Sequence, residues 1–316
     1  MLNRRLLRVK VMQAVYAYHK NEDMTFQQAE NYLYHIIHKS YELYHLLLLL
    51  LVDIRHYAFR RIEIGKTKFR PTPEELIPNT RFIDNLLLAT LSKNKNLNRF
   101  VDKTGISWTN HPEIIISLYN EICQSELYQQ YMADSNTDFE DDRKFVVKLC
   151  EKIISQYLPL YANLEEQSLY WNDEAEFVMN MVIKTMREFK NKEDHDHTLL
   201  PEYKDEDDKV FVTSLLRKSI LYHTEFLKLL DKYLQNWDLD RLAFLDIVIM
   251  EIALTEILEF GGMALKISYN EYIEIAKHYS TPKSGFFING ILDNIIKDLR
   301  NKGKIKKISD ELLALN

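Results

Sequence analysis

Three arginines near the start of the chain have the spacing needed to bind phosphate groups together. Arg4 and Arg5 precede Arg8 by four and three residues, and on a helix this spacing brings the three guanidinium groups to one surface. Lys10 adds a fourth cation, while residues 1–20 contain no acidic side chain. Because clustered cations repel one another, the pattern favours a polyanionic ligand. The alternative is a basic helix face in contact with solvent alone.

A second group of residues could bind a metal ion or act in acid–base catalysis. His195, Asp196 and His197 are adjacent, and His223 could join them, since imidazole and carboxylate groups both bind zinc and iron. The triplet lies in the acidic stretch 193–208, which is typical of a solvated linker. The chain also lacks the GxGxxG, P-loop, HExxH and GxSxG motifs. We therefore predict a protein that is not an enzyme and needs no cofactor or metal ion.

Composition favours long helices and a soluble protein. The 316 residues include only 7 Gly and 7 Pro, too few for many short strands and tight turns. Cys123 and Cys150 lie in apolar helical surroundings without a CxxC motif, which predicts buried thiols in a reducing compartment. The longest apolar run, Leu46–Val52, is far too short to span a membrane, and no secretory signal follows the basic N-terminus. We expect a cytoplasmic all-α protein with no membrane contact.

Capping residues and breaks in periodicity divide the chain into predicted helices. The first covers 3–20, and Thr25 with Gln28 forms a capping box for the second. No Gly or Pro then occurs before Gly65, which indicates one very long helix or two stacked helices. Further helices are predicted over 81–93, 112–132, 145–158, 172–189, 209–237 and 241–259. Linkers or turns are predicted over 66–79, 93–98 and 193–208.

Caps and breaks define the ends of two of these helices. Thr137 with Glu140 is predicted to cap the helix that Pro159 ends. Asp238 or Asp240 should cap the helix over 241–259, and Gly261-Gly262 should end it.

Near its C-terminal end the chain contains two short helical patterns around a break at Thr281-Pro282. Ser268 with Glu271 fits a capping box for the first helix, and Ser284 can cap the second. Gly290 lies inside the second helix, where glycine costs about 1 kcal/mol relative to alanine. A helix that retains such a glycine is predicted to have a neighbour pressed against its backbone.

This stretch resembles the signature of the transcription antitermination factor NusB family. The matching residues are Asn270, Glu271, Ala276, Lys277, Ser284, Phe287, Asn289, Gly290 and Leu292. The arginine-rich first helix, running into Ala14-Val15-Tyr16, is similar to the family's N-terminal helix. The resemblance covers about residues 1–20 and 205–300. It implies an all-α, NusB-like helical bundle formed by both chain ends, 1–23 and 195–316, with a helical insertion over 24–194.

The resemblance implies RNA binding without catalysis. Family members pair with NusE, which is ribosomal protein uS10, and recognise boxA elements in single-stranded RNA within the transcription elongation complex, notably during ribosomal RNA transcription. By this resemblance, the expected RNA-binding residues are Arg4, Arg5, Arg8, Lys10, Tyr16, Tyr18, Lys277, Phe287 and Asn289. The cations would neutralise phosphates, and the aromatic rings would stack on bases. Glu251, Asn270 and Glu271 are the expected partner-binding residues.

Two positions depart from the family pattern. Asp246 stands where an arginine is common, and Phe286 stands where a basic residue is common. Both changes remove positive charge from surfaces that the family uses on RNA. Two alternatives remain open from the sequence: a purely structural helical scaffold that binds other proteins, and a metal-dependent enzyme that uses His195, Asp196 and His197. The lack of a glycine-rich nucleotide loop argues against the RNA methyltransferases that carry a NusB-like domain.

Overall fold

The computed structural model describes residues 2–134, 138–234, 242–260 and 265–303. These residues form fourteen α-helices and one short 3-10 helix, with no β-strand among them, so the all-α prediction is confirmed. None of the described helices is long and apolar enough to cross a membrane. The chain divides into two compact units, which we call the insertion unit, His38–Glu202, and the terminal unit, Leu2–Ile37 with the described residues from Tyr203 onward.

The domain boundaries inferred from the family resemblance, after residues 23 and 194, stay predictions. The terminal unit combines segments from both ends of the sequence. It contains α1 (Arg4–Lys20), the start of α2 (Phe26–Lys66), α11 (Glu206–Tyr233), α12 (Phe244–Glu259), α13 (Leu265–Tyr279) and α14 (Ser284–Asn301).

Helix α12 forms the centre of the terminal unit. Every residue from Asp246 to Glu256 is buried, as expected for a helix that is apolar on nearly all sides. It packs against α1, α11, α13 and α14. Because four helices cover α12, its buried polar side chains must form their hydrogen bonds with residues of those helices.

Helix α1 is present as predicted and buries an apolar stripe. Leu7, Val11, Ala14 and Val15 are all fully buried, and the helix packs on α11 and α12. Asn3 caps it by accepting a hydrogen bond from the backbone N–H of Leu6.

Helix α2 is one continuous helix of 41 residues. The predicted capping box is present: the Thr25 hydroxyl accepts from the Gln28 N–H, and the Gln28 side chain accepts from the Thr25 N–H. With no glycine or proline before Gly65 to interrupt the hydrogen-bond ladder, one long helix forms. Its first part belongs to the terminal unit and the rest to the insertion unit.

The insertion unit is built from short helices around the second part of α2. They are α3 (Pro73–Leu76), α4 (Leu86–Ser92), α5 (Lys95–Thr104), α6 (Pro112–Gln124), α7 (Glu126–Ala133), α8 (Phe139–Lys152), the 3-10 helix Ile154–Gln156, α9 (Leu158–Gln167) and α10 (Ala175–Glu188). The Leu46–Val52 run lies in its apolar core. Cys150 is also buried, which raises the pKa of its thiol to about 12, whereas Cys123 is half-buried.

Three predictions for this region were wrong: polar residues act as helix caps at two positions, and a proline lies in a helix's first turn at the third. The asparagine-rich segment 93–98 is not only a turn: the Asn94 side chain accepts from the Leu97 N–H and begins α5. Ser125 divides the helix predicted over 112–132 by capping α7. Pro159 lies in the first turn of α9 instead of ending a helix, a position where the missing N–H costs nothing.

Several predicted caps lie outside the described residues. These are Thr137, Asp238, Asp240 and Gly261-Gly262. The acidic linker is confirmed at its end, where Asp205 caps α11 and Glu206, Asp207 and Asp208 fill the first turn. Carboxylates are favoured there by the positive end of the helix dipole.

The C-terminal helix pair forms, but three local predictions were wrong. Ser268 does not begin α13, which starts at Leu265; its hydroxyl donates to Glu256 instead. Ser284 is the first residue of α14, and its hydroxyl accepts from the Thr281 N–H. A Cβ added to Gly290 would meet no atom within 4 Å in the described structure. The glycine that permits close packing is Gly285, where an added Cβ would lie 2.8 Å from Lys277 Cγ.

Candidate nucleic-acid interface

A buried ion pair joins the basic first helix to the centre of the terminal unit. Arg8 on α1 and Glu256 on α12 are each 1% exposed. Arg8 Nε and Nη2 donate to the two Glu256 oxygens at 2.8 and 2.6 Å. The hydroxyls of Ser268 and Tyr272 on α13 donate to the same carboxylate at 2.6 and 2.7 Å. Four donors therefore satisfy one buried carboxylate, and α1, α12 and α13 meet at this group.

The surroundings of this pair keep both partners charged. Burial alone would raise the pKa of Glu256, but the hydrogen bonds and charge of Arg8 and the two hydroxyls lower that pKa below its ordinary value. Burial would likewise lower the pKa of Arg8, and Glu256 raises it instead. Burial raises the pKa of Tyr272 well above its usual value, so the phenol stays a donor. A bidentate pair with extra donors is the arrangement in which a buried ion pair is stable.

The other two arginines of the cluster form ion pairs nearer the surface. Arg4 Nε lies 2.6 Å from an oxygen of Asp208, and its guanidinium lies 4.3 Å from the centre of the Phe211 ring. Arg5 donates from Nε and Nη2 to both oxygens of Glu271, at 2.7 and 2.9 Å. The Arg5 side chain is 46% exposed, against 35% for Arg4. Arg5 is thus the most accessible of the three.

The sequence-based argument that these arginines lack nearby acids is wrong. Their partners Asp208, Glu256 and Glu271 come from α11, α12 and α13, at least 200 positions away in the chain in each case. Folding brings them close because α1 packs on α11 and α12. The charge pattern is therefore explained by packing, and RNA contact by these residues stays a prediction.

The remaining predicted RNA-binding residues of α1 differ in accessibility. Lys10 is 1% exposed, so its side chain is not available at the surface. Tyr16 is 38% exposed and packs edge-on against Phe244, with ring centres 5.4 Å apart. Tyr18 is half-buried beside His19. Tyr16 is the aromatic residue of α1 that a nucleic-acid base could reach.

The predicted residues on α13 and α14 lie on two helices that pack against each other. Lys277 is exposed and its ammonium lies 2.6 Å from Glu274. Asn289 is exposed, and its side-chain oxygen accepts from the Tyr269 hydroxyl at 2.7 Å. Phe287 is half-buried. These residues form what we call the α13–α14 face.

The described contacts do not bring the arginines together with Asn289. Glu271 faces α1 through Arg5, while Tyr269 faces α14 through Asn289. Two residues that are two positions apart on a helix point in directions about 200° apart. Arg5 and Asn289 therefore meet different sides of α13, and we call Arg4 and Arg5 the α1 face.

The two departures from the family pattern have different structural settings. Asp246 is 5% exposed and does not lie on a surface, contrary to our expectation. Its oxygens accept from the hydroxyls of Ser280 and Ser284 at 2.5 and 2.8 Å, which ties the start of α12 to the turn between α13 and α14. Phe286 is 85% exposed and can meet a partner directly.

The three predicted partner-binding residues also differ in setting. Asn270 is exposed, and Glu271 forms the ion pair with Arg5. Glu251 is buried, and its carboxylate lies beside the imidazoles of His19 and His223. A direct partner contact by Glu251 is therefore unavailable in this conformation.

The histidines of the acidic linker are packed in the insertion unit, and Asp196 is not directed toward them. The side chains of Asn94 and Asn96 donate to the backbone carbonyl of His197, and Asp196 pairs with Lys95. Among the described residues, these three do not form a group able to hold a metal ion. The metal-dependent enzyme therefore has no support from this segment.

The residues that hold α1 in place were not predicted from the sequence. Glu256 and Tyr272 were not singled out, although Glu256 gave a usable signal. It is a charged residue within a helix that is otherwise apolar on all sides, and such residues need a buried partner. Its partner Arg8 was assigned to the surface because the charge run of α1 was considered without the rest of the chain.

Comparison with known proteins identifies the family of the chain. The sequence profile of the NusB family matches residues 175–297, from α10 to α14, and residues 1–20 lie outside this match. No solved structure matches the chain significantly.

Several relatives carry the name transcription antitermination protein NusB. The protein of Salinibacter ruber is 36% identical over 122 residues, which cover 38% of this chain and 76% of that protein. The protein of Methylacidiphilum infernorum is 43% identical over 99 residues, 31% of this chain and 68% of that protein. The protein of Clostridium kluyveri is 49% identical over 78 residues, 25% of this chain and 47% of that protein. The chain belongs to the NusB family.

Proposed function

We propose that this protein is a transcription antitermination factor that binds boxA-type single-stranded RNA together with NusE, ribosomal protein uS10. It would act without catalysis in the transcription elongation complex during ribosomal RNA transcription. The observation that carries the proposal is the family match over α11–α14. The basic helix α1 is anchored on these helices by the ion pair of Arg8 and Glu256.

We propose different roles for the predicted residues according to how far their side chains are exposed. Arg4, Arg5, Tyr16, Lys277 and Asn289 retain exposed side-chain surface and are proposed to contact RNA directly. Phosphates would be met by the cations and a base by the Tyr16 ring.

The buried or half-buried predicted residues are proposed to act through packing. Arg8 would support RNA binding by fixing the position of α1, because its side chain is buried against Glu256. Lys10, Tyr18 and Phe287 would contact RNA only after a local rearrangement.

We propose that the two faces bind different groups. The α1 face offers guanidinium groups, which suit phosphates and stack on bases, and Arg5 would exchange Glu271 for an RNA phosphate. The α13–α14 face offers Asn289, and the same two helices also carry exposed Phe286 and Asn270. This mixture of amide and aromatic groups is typical of protein–protein contacts as well as base contacts. We propose that RNA uses the α1 face first and that NusE binding brings RNA to the α13–α14 face.

The test is a binding measurement on the full chain with purified NusE. Fluorescence anisotropy would follow a labelled boxA RNA, with a scrambled RNA of equal length as control, with and without NusE. We expect NusE to be retained on the immobilised protein, and boxA RNA to bind more tightly than the scrambled RNA when NusE is present. No retention of NusE and no preference for boxA would overturn the proposal. Retention of NusE without RNA affinity would favour the structural scaffold.

A further inference from the structure

Two histidines and a glutamate from three different helices meet inside the terminal unit. His19 lies on α1, His223 on α11 and Glu251 on α12. Their possible ligand atoms all lie within 4.8 Å of one another. Among the described residues they are the only group of three such side chains with this property. The cluster has no part in the RNA contacts proposed above.

From this arrangement we infer that His19, His223 and Glu251 form a binding site for a divalent transition-metal ion, with Zn²⁺ as the ion that fits best. Two imidazoles and one carboxylate are a set of protein ligands that zinc sites use, and an open fourth position then remains for water or another ligand. Imidazole ligands favour zinc and its neighbours over magnesium or calcium, which prefer oxygen.

The distances suit such an ion with little movement. His19 Nε2 lies 3.4 Å from the Glu251 carboxylate, and His223 Nδ1 lies 3.0 Å from it. Zinc–ligand bonds of about 2.0–2.1 Å at tetrahedral angles separate two ligand atoms by about 3.3 Å. The two imidazole rings are 3.9 Å apart between centres and inclined by 32°, so small rotations would direct both nitrogens at one point.

The surroundings are rigid and partly closed. The Glu251 carboxylate is 1% exposed, and the side chains of His19 and His223 are 10% and 27% exposed. The Phe244 ring lies edge-on to His19, with centres 6.2 Å apart. Helices α1, α11 and α12 pack on one another, so their backbones hold the three ligands in place. The exposed edge of His223 leaves a path for the ion to enter.

A metal ion here would tie α1 to the centre of the unit at a second point. The ion pair of Arg8 and Glu256 fastens the first half of α1, and His19 lies in its last turn. An ion bound only by the folded protein stabilises it in proportion to the logarithm of metal concentration. Occupancy would therefore raise the stability of the terminal unit.

The experiment uses the full chain after treatment with a chelator and its removal. Isothermal titration with Zn²⁺ would give the stoichiometry and affinity, and thermal unfolding with and without Zn²⁺ would give the stabilisation. We expect one Zn²⁺ per chain and a higher unfolding temperature. Loss of a residue that only supports a metal ligand weakens metal binding about 10–100-fold. His223→Ala removes a ligand itself, so it should weaken Zn²⁺ binding by at least this factor and abolish the stabilisation.

Two further variants make the test decisive. Glu251→Gln keeps the size of the buried side chain but removes its charge, so it should weaken Zn²⁺ binding. Circular dichroism checks that each variant is folded, and Glu251→Gln serves as the test if His223→Ala folds poorly. His278→Ala removes an exposed histidine outside the cluster and should leave binding unchanged. The inference is overturned if the unaltered chain binds no Zn²⁺, or if binding survives both His223→Ala and Glu251→Gln. It is also overturned if removal of His195 and His197 abolishes binding instead.

Discussion

Both compact units contain a buried carboxylate, and they satisfy it in different ways. In the terminal unit, Glu256 accepts two hydrogen bonds from Arg8 and two from hydroxyls. In the insertion unit, Asp142 accepts from the Leu86 N–H at 2.6 Å and from the Tyr131 hydroxyl at 2.7 Å. Arg81 Nη2 stays 3.4 Å from Asp142 without a hydrogen bond.

The difference shifts the pKa values of the two carboxylates in opposite directions. Burial raises the pKa of Asp142, and its donors and Arg81 do not fully offset this effect. At Glu256 burial also acts to raise the pKa, but the Arg8 pair outweighs it and the pKa is lowered. Glu256 is thus held in an ionised pair, whereas Asp142 is held mainly by the Leu86 N–H and the Tyr131 hydroxyl. The comparison shows that a charge run in α1 can serve to hold helices together before it serves any ligand.

Arg8→Ala should give the largest effect and should be confined mainly to the terminal unit. It would leave the Glu256 carboxylate buried without its cation, which costs about 3–5 kcal/mol. Hydrogen exchange followed by mass spectrometry would report the loss of protection in α12 and α13. The double variant Arg8→Met with Glu256→Leu is the control, because replacing both partners by apolar residues should restore most of the stability. Equal losses in the single and double variants would show that the ion pair is not the cause.

Leu48→Ala should give a comparable or slightly smaller loss in the other unit. Leu48 is fully buried in the apolar core of the insertion unit, and truncation of such a leucine costs about 2–5 kcal/mol. The same exchange measurement should show the loss in α8 and α10. A loss of protection centred on α12 would contradict the assignment of Leu48 to the insertion core.

Two tyrosine variants compare the carboxylates directly. Tyr272→Phe removes a donor to ionised Glu256 and should cost about 1.5–3 kcal/mol, the range for hydrogen bonds to charged groups. Tyr131→Phe removes the matching donor to Asp142 and should cost about 0.5–1.5 kcal/mol, because burial disfavours the charged form that this hydroxyl stabilises. Denaturant unfolding at neutral pH would measure both. A larger loss for Tyr131→Phe would reverse the comparison.

Acid should weaken the two units unequally. The folded-state pKa of Glu256 is below 4.5, so its stabilising contribution is complete above that pH and is lost as the pH falls through the lowered value. The folded-state pKa of Asp142 is above 3.8, so its contribution is complete below that pH and is lost as the pH rises. Below pH 4.5, exchange corrected for its intrinsic rate should increase in α12 before it increases in α8. The opposite order would contradict the assigned charge states.

The sequence predicted the all-α class and the helix α1, because these follow from periodicity, capping and a lack of breakers over many residues. For α2 it left one long helix or two stacked helices open. It predicted short elements less well. Asn94 was predicted to lie in a turn and Ser125 inside a helix, and each caps the start of a helix instead. Whether a polar residue caps a helix or lies in a turn depends on packing that only the folded chain supplies.

The candidate site was harder to predict than the fold. Arg8 was recognised as important, but its partner Glu256 lies 248 positions away, and no local pattern connects them. The cluster of His19, His223 and Glu251 is likewise assembled from three separate helices. Ser268 was assigned as a cap from its spacing to Glu271, yet each side chain binds a residue of another helix.

The most direct test of the proposed function compares two exposed arginines, one in each unit. Arg5 pairs with Glu271 in the terminal unit, and Arg187 pairs with Glu151 in the insertion unit. Each substitution to alanine should change stability by no more than about 1 kcal/mol, so both variants should fold. The measurement is the salt dependence of boxA RNA binding in the presence of NusE.

For Arg5→Ala we predict weaker binding and a log–log salt slope smaller by about 0.7, the value for one lost phosphate contact on a single strand. Arg187→Ala should match the unaltered chain. If Arg5→Ala binds RNA with unchanged affinity and slope, or if Arg187→Ala shows the same loss, the α1 face of the terminal unit is not where RNA binds.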